Sequence, residues 1–532
     1  MLGTGYEVSS LAMRGRSAVG CRQRVVGAFL LAEPADLRRI AWALPIVLVI
    51  CVFYAFVASC GSFGDVTGQL DYYDQMCEGF RAGHLYLVAN PSQQLLASPD
   101  PFKYSNVSLW LWDATLYQGH YYLYWGPVPA LLMWAYKVVS GTHERITDQW
   151  PTVWFMVGRL LAGAGLLLSV ASRLYPRLPT WISCLAIAVF GLAHPTPFIV
   201  ARPHIYEACL AGGQCFVFWG LLFALWAVVT RSARRWLLFA AGLSWALAIG
   251  CRVTSFVCVP PLMLITAAFI WHNSTRSFVD WIWSCLTLGA PVLLGVIAYG
   301  WYNFARFGEL LEFGVKYQLT LQPFYGNPRY VLPNIFSYLF GSLEYSCQFP
   351  YARIVSYRHL SALIKWPPGY QSFEKVGGVM YTSGWLWFVV LAVWRLVTYL
   401  LTRRGRPSAS NTAADLSPLE GWLLACAAAT MLSVVPVLSL WEASMRYFEE
   451  ALSGLLFIAT FGVFWALRRT HLPGIGWAFT RALVALVGVQ TCVMGATSAF
   501  STYDDPFKRY NPALYQKLES ALSLCSLGQQ GQ

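Results

Sequence analysis

The chain has 532 residues, 57% of them hydrophobic and 12% charged, where an average soluble domain carries about 25% charge. That composition excludes a soluble globular protein, and its 24 Trp, 29 Tyr and 32 Phe suit the aromatic belts of a membrane interface. The formal charge of +12 does not indicate nucleic acid, because the basic residues stand in short clusters between apolar runs, as in proteins oriented across a bilayer.

Residues 1–40 are basic (Arg14, Arg16, Arg22, Arg24, Arg38, Arg39) and lack a cleavable signal pattern, so 41–60 reads as an uncleaved first span. A long outer loop, 61–152, follows. It carries Asp65 and then DYYDQMCEGFRAGHLYL at 71–87, which places Asp65, Asp71 and Asp74 just past the membrane exit. Ionisable residues gathered at one membrane boundary are the pattern of a membrane-embedded active site. Asp71 is the first candidate for a general base, since Tyr72, Tyr73 and Phe80 could shield it and raise its pKa. Asp65 and Asp74 compete with it, and each of the three also suits a solvated helix cap.

The run YYLYWGPVPALLMWAYKVVSG, 121–141, decides the topology. If it does not cross, Arg173/Arg177, Arg231/Arg234/Arg235, Arg276, Arg403/Arg404/Arg406 and Arg468/Arg469 all fall on the N-terminal, cytoplasmic side. Pro127 and Pro129 also weaken a straight span. It is therefore expected to lie on the outer face. The later apolar runs, at 153–172, 178–198, 207–230, 236–251, 254–271, 279–301, 378–401, 419–440, 447–467 and 476–499, have bilayer length. With 41–60 they make eleven expected spans, N-terminus in and C-terminus out.

The second outer turn, ARPHIYE at 201–207, holds Arg202, His204 and Glu207. Arg202 offers a fixed donor array suited to phosphate, while Glu207 is either an active-site acid or a partner of the helix dipole. Arg252, in AIGCRVTSF, is costly if it faces lipid. The outer segment 302–377 contains WYNFARFGELLEFGVKYQL, expected to lie along the interface, with Arg306 and Lys316 facing either the site or lipid headgroups. The polar stretch 403–418 reads as a cytoplasmic linker between a catalytic module, 41–402, and C-terminal helices, 419–500. In WEASMRYFEE, Glu442 and Arg446 either neutralise each other or Arg446 joins Arg202 and Arg252 around a phosphate. His194 reads as a satisfied interface residue, and 501–532 as an outer tail.

Fourteen cysteines show no C-x-x-C spacing, so structural zinc has no sequence support. Most lie in apolar runs; of Cys60, Cys77, Cys347 and Cys525 in the outer segments, Cys60 and Cys77 are the pair expected to be able to bridge.

Three stretches, DYYDQMCEGFRAGHLYL, YYLYWGPVPALLMW and ARPHIYEA, together resemble the GT-C superfamily of polytopic glycosyltransferases that use polyprenyl-phosphate sugars. Protein mannosyltransferases and lipid A aminoarabinose transferases belong to it, and the layout is similar over roughly the first 260 residues. The resemblance implies an all-α transmembrane bundle and inverting transfer of a sugar to a cell-envelope glycan, lipid or protein. It implies an active site at the outer face of a bacterial inner membrane, with membrane lipids among the partners. Metal dependence varies in such folds; with no dense carboxylate cluster in the sequence neither metal nor cofactor is expected, nor is nucleic acid a partner. Asp71, Asp65, Asp74 and Glu207 are its catalytic candidates, and Arg202, His204, Arg252 and Arg446 its phosphate ligands. The family's Asp-Glu pair at the head of the first loop is not present as such, and His204 stands where an Asp is expected. A transporter or flippase instead predicts ionisable groups at mid-membrane and paired broken helices. A polysaccharide polymerase or ligase of another fold would share the outer loops and arginines.

Overall fold

The computed structural model describes residues 34–66, 70–230, 233–273, 277–320, 326–354, 366–370, 374, 376–405, 416–468, 475–502 and 504–525. The N-terminal basic residues before 34, Arg231, Arg276, Arg406, Arg469 and most of the 403–418 linker lie outside them.

The protein is an all-α, multi-pass membrane bundle. Its helices are α1 Pro34–Ala58, α2 Tyr72–Arg81, α3 Val128–Ser140, α4 Gln149–Leu174, α5 Thr180–Leu192, α6 Ile205–Val229, α7 Arg234–Cys251, α8 Ser255–Asn273 and α9 Phe278–Phe307. They continue with α10 Val331–Phe340, α11 Val389–Gly405, α12 Pro418–Thr430, α13 Met445–Leu467, α14 Ile475–Ser498 and α15 Pro512–Leu522. Among the described residues, nine helical segments are long and apolar enough to cross a membrane. The other two expected spans are α7, whose first turn holds Arg234 and Arg235, and α5, whose apolar run resumes in Thr196–Val200.

α6 and α13 are buried along most of their length and form the centre; α1, α9, α11 and α14 are peripheral. The peripheral helices turn Leu48, Leu294 and Leu486 outward, as a lipid-facing surface requires. At the centre, glycine permits backbone approach. A Cβ at Gly242 of α7 would stand 2.1 Å from the Leu288 carbonyl of α9, so these helices touch through a position with no side chain.

The only helix in segment 121–141 is the 13-residue α3, which begins inside the WGPVP stretch and is closed at left-handed Gly141. At 1.5 Å per residue, α3 spans about 20 Å, short of a hydrocarbon core of about 30 Å. It is clamped to α2 instead, with Lys137 Nζ 2.6 Å from Asp74 and 2.8 Å from Glu78.

The loop segments meet at one end of the bundle. Strands β1 Thr115–Tyr117 and β2 His120–Tyr122 form a hairpin whose Gln118 and Gly119 both have positive φ, the geometry of a tight two-residue turn. Thr115 bridges to Gln318 of the following long segment. Strands β3 Leu343–Tyr345 and β4 Ala352–Ile354 form a second hairpin. Cys347 is disulfide-bonded to Cys525, whereas Cys60 and Cys77 are free and buried, so the bridge expected between those two is replaced by one that ties the tail to the second hairpin. At the opposite end, Arg39 donates to the carbonyls of Pro176 (2.8 Å) and Leu178 (2.9 Å), and Arg395 forks onto Glu420 with two 2.8 Å bonds.

Candidate active site

The first turns of α6 and α13 come together beside the C-terminus of α7, and their charged residues meet there. Arg202 Nη1 lies 3.1 Å from Glu207 Oε1, and Arg446 Nη1 lies 3.7 Å from the same oxygen. Arg446 Nη1 is also 2.6 Å from Glu374 Oε1, whose other oxygen accepts from Ser444 Oγ. The Arg446 guanidinium sits 4.3 Å over the Tyr206 ring and 5.4 Å from that of Tyr447. Arg252, across Tyr447 at 5.8 Å, pairs with Glu450, which also accepts from Thr254 Oγ1 at 3.1 Å. The structure thus links Arg202, Arg252 and Arg446, which are far apart in sequence. Sequence reasoning expected the three cations to need a bound anion. Each instead has a protein carboxylate, a pairing that explains how they persist in a buried setting.

Asp113 joins this cluster. Its carboxylate accepts from the Tyr206 hydroxyl and from Gln318 Nε2 at 3.1 Å, with Arg446 and Arg202 in electrostatic reach. Burial raises its pKa above the usual carboxylate range despite those partners. Its backbone is left-handed, φ +64°, and is pinned by an N–H bond to the Leu319 carbonyl of 3.1 Å. The WGPVP turn packs behind it; a Cβ at Gly126 would stand 2.0 Å from the Gly250 carbonyl, just before Arg252. Trp125 sets its edge against the Tyr206 ring at 4.8 Å.

The tail closes the other flank. Asp504 Oδ2 is 3.1 Å from Arg202 Nε and 3.9 Å from His204 Nε2. Burial pushes the Asp504 pKa up, but His204 and Arg202 outweigh it and hold it at about 2. Glu207 Oε2, Glu450 Oε2 and Arg446 Nε are buried without a hydrogen-bond partner in the structure, so the cluster retains bonding capacity.

Asp65, Asp71 and Asp74 are engaged elsewhere. Asp71, just before α2, pairs with exposed Arg145 and accepts from Gln75 Nε2 at 2.7 Å. Asp65 accepts from Trp150 Nε1 (2.6 Å) and Thr147 Oγ1 (3.2 Å), and Asp74 faces Lys137. Their ion-pair and hydrogen-bond partners all belong to the first loop and its bounding helices. Arg306 is buried against the Leu123 carbonyl and Asn303, and Lys316 pairs with Glu312 at 2.8 Å, so neither joins the arginines. His194 is buried, with Thr382 Oγ1 3.1 Å from Nδ1. Among the described residues no three His, Cys, Asp or Glu side chains converge as a metal-ligand set.

Sequence reasoning missed Asp113, Glu374, Glu450 and Asp504, and also Arg159, a lone arginine in an apolar run. Arg159 Nη2 lies 2.8 Å from Glu449 Oε1, both side chains fully buried, and donates to Ser453 Oγ at 2.7 Å; Thr196 donates to the same carboxylate at 3.0 Å. A lone ionisable residue inside a bilayer-length run was the signal for this pair.

A scan against protein-family models and a search of curated proteins find no match. Among solved structures, the apo crystal structure of the Archaeoglobus fulgidus oligosaccharyltransferase aligns with 87% of this chain at 12% identity and a TM-score of 0.50. The archaeal oligosaccharyltransferase AglB from the same organism, in complex with an inhibitory peptide and a dolichol-phosphate, aligns with 87% of the chain at 12% identity and a TM-score of 0.44. The chain spans 56% of the length of each of these structures. At that identity, the first likeness establishes a shared fold.

Proposed function

We propose that the protein is a membrane glycosyltransferase that moves a sugar from a polyprenyl-phosphate donor to a hydroxyl of a cell-envelope glycan, lipid or protein. The observation that carries this reading is the Asp113–Tyr206–Arg446–Glu207–Arg202 cluster: a half-buried carboxyl of raised pKa beside two fixed guanidinium groups. The shared fold supports it.

In this reading Asp113, rather than Asp71, takes the proton of the acceptor hydroxyl. A raised pKa brings a carboxylate closer to the task of a general base at neutral pH. The acceptor oxygen then attacks the anomeric carbon opposite the phosphate, and the carbon–oxygen bond to phosphate breaks with inversion. Arg446, held by Glu374 and Glu207 through Nη1, supplies fixed positive charge to stabilise the leaving phosphate. Positive ends of the α6 and α13 dipoles add to the same stabilisation. The Cys347–Cys525 bridge joins segments at this end, which fits an oxidising outer face and hence the periplasmic side.

The test is transfer of radiolabelled sugar from polyprenyl phosphate in proteoliposomes without an ion gradient. Transfer that needs no gradient is the expected result. Gradient-dependent movement of the lipid-linked sugar, with no product bond formed, would replace this reading with that of a transporter.

A further inference from the structure

At the same end of the bundle, the C-terminal segment and strand β4 enclose a cavity of about 150 Å³, separate from the Glu207 cluster. Water's share of liquid volume is about 30 Å³, so the space is on the order of a single sugar ring. Phe500 and Ile354 supply an apolar wall, and Arg353 and Lys508 two cations. Tyr515 lies against the wall with 3% of its surface exposed, and its hydroxyl has no hydrogen-bond partner. Lys508 Nζ stands 4.8 Å over the Tyr515 ring and only loosely near Asp505, at 3.9 Å.

This chemistry is selective. Two cations against one carboxylate favour an anion. The Ser501 hydroxyl and the Asp505 carboxylate suit a polyol, with Phe500 and Ile354 bounding the space. The cavity is also wired to the active-site cluster. Ser501, Thr502 and Asp505 line it, while Asp504 between them reaches the other way to Arg202 at 3.1 Å.

We propose that this cavity is an acceptor subsite that binds a saccharide residue bearing an anionic group, one or two sugar units from the hydroxyl that is glycosylated. The assignment rests on the glycosyltransferase reading above. It makes Arg353, Lys508 and Ser501 binding residues.

The experiment measures binding to the purified full chain without donor, using methyl β-glucuronide, glucose 6-phosphate, methyl β-glucoside and inorganic phosphate as probes. Saturable binding of the glucuronide or the sugar phosphate, at least tenfold tighter than the neutral glucoside and than phosphate alone, is the expected result. Which of the two anionic sugars binds more tightly identifies the acidic group. Arg353→Gln with Lys508→Gln should weaken that binding tenfold or more, and Ser501→Ala a few-fold, since it removes only the hydroxyl. Equal binding of the glucoside, phosphate binding as tightly as the sugars, or indifference to these variants would overturn the proposal. Asp113→Asn separates the two readings, because it should abolish transfer and leave glucuronide binding intact. A chain that transfers sugar but does not bind the probes loses the subsite alone. One that binds them but never transfers loses the enzyme reading, and the cavity then stands only as a saccharide site.

Discussion

Replacing Asp113 by Asn removes a charge and little else. The amide oxygen can still accept from Tyr206, and Asn tolerates the left-handed backbone at φ +64° about as well as Asp. Stability should therefore change by less than about 1 kcal/mol, whereas loss of a general base costs ~10²–10⁴-fold in turnover. At 1.36 kcal/mol per tenfold, that is about 3–5 kcal/mol of transition-state stabilisation. Asp71→Asn is the matched control. It breaks a pair with Arg145, whose side chain is 59% exposed, and such pairs contribute about 0–1 kcal/mol. The Asp71 side chain makes no capping bond to α2, so turnover should stay within a few-fold of wild type. Both variants are assayed for sugar transfer in proteoliposomes, with thermal unfolding in detergent run alongside. A pH profile adds a second reading, because activity should fall as pH drops through the raised Asp113 pKa, above the ordinary carboxylate range. Near-normal turnover in Asp113→Asn with a dead Asp71→Asn enzyme would refute the assignment and return the base to Asp71.

Further outcomes follow from the geometry. Glu449→Gln leaves Arg159 unpaired in the bundle and should cost about 3–5 kcal/mol of stability, while Arg159→Met combined with Glu449→Leu should recover most of it; thermal melts of both decide the point. Burial pushes the Asp148 pKa up to about 8 against two backbone N–H donors from Tyr72 and Tyr73. Between its ordinary value and about 8, the folded state then holds a proton that the unfolded state has lost, so stability falls as pH rises through that window. Asp148→Asn should flatten the slope, and an unchanged slope would remove the claim. A reporter fused after Ser410 should behave as cytoplasmic and one after Thr502 as external; reversed signals at both would mean that α3 had been misread.

The spans were legible because bilayer length and apolar composition are local properties. The shortness of α3 was legible too, since Pro127 and Pro129 interrupt its run. Arg202, Arg252, Arg446 and Glu207 stood out because a charge at a membrane boundary is costly unless it is used. Asp113 did not stand out. It lies in a polar loop among many acids, and only its pairing with 318–319 and with Tyr206 separates it from them. Asp71 drew attention for the converse reason: its place after the first helix looks catalytic, yet the exposed Arg145 and Gln75 hold it. The disulfide was invisible in spacing, because its cysteines are 178 residues apart and meet only through the tertiary fold. Glu374 and Asp504 were hidden in the same way.

Glu449 and Glu450 are neighbours on α13, yet one is tied to Arg159 in the interior and the other to Arg252 at the site. Successive residues of an α-helix point about 100° apart, so a single rotational setting satisfies both ties. Turning α13 about its axis would strand two buried carboxylates and two buried guanidiniums at once. The helix acts as a key with two teeth, locked in azimuth. In the proposed enzyme, motion that admits donor would then leave α13 unrotated, with Arg446 and Glu450 as a fixed frame.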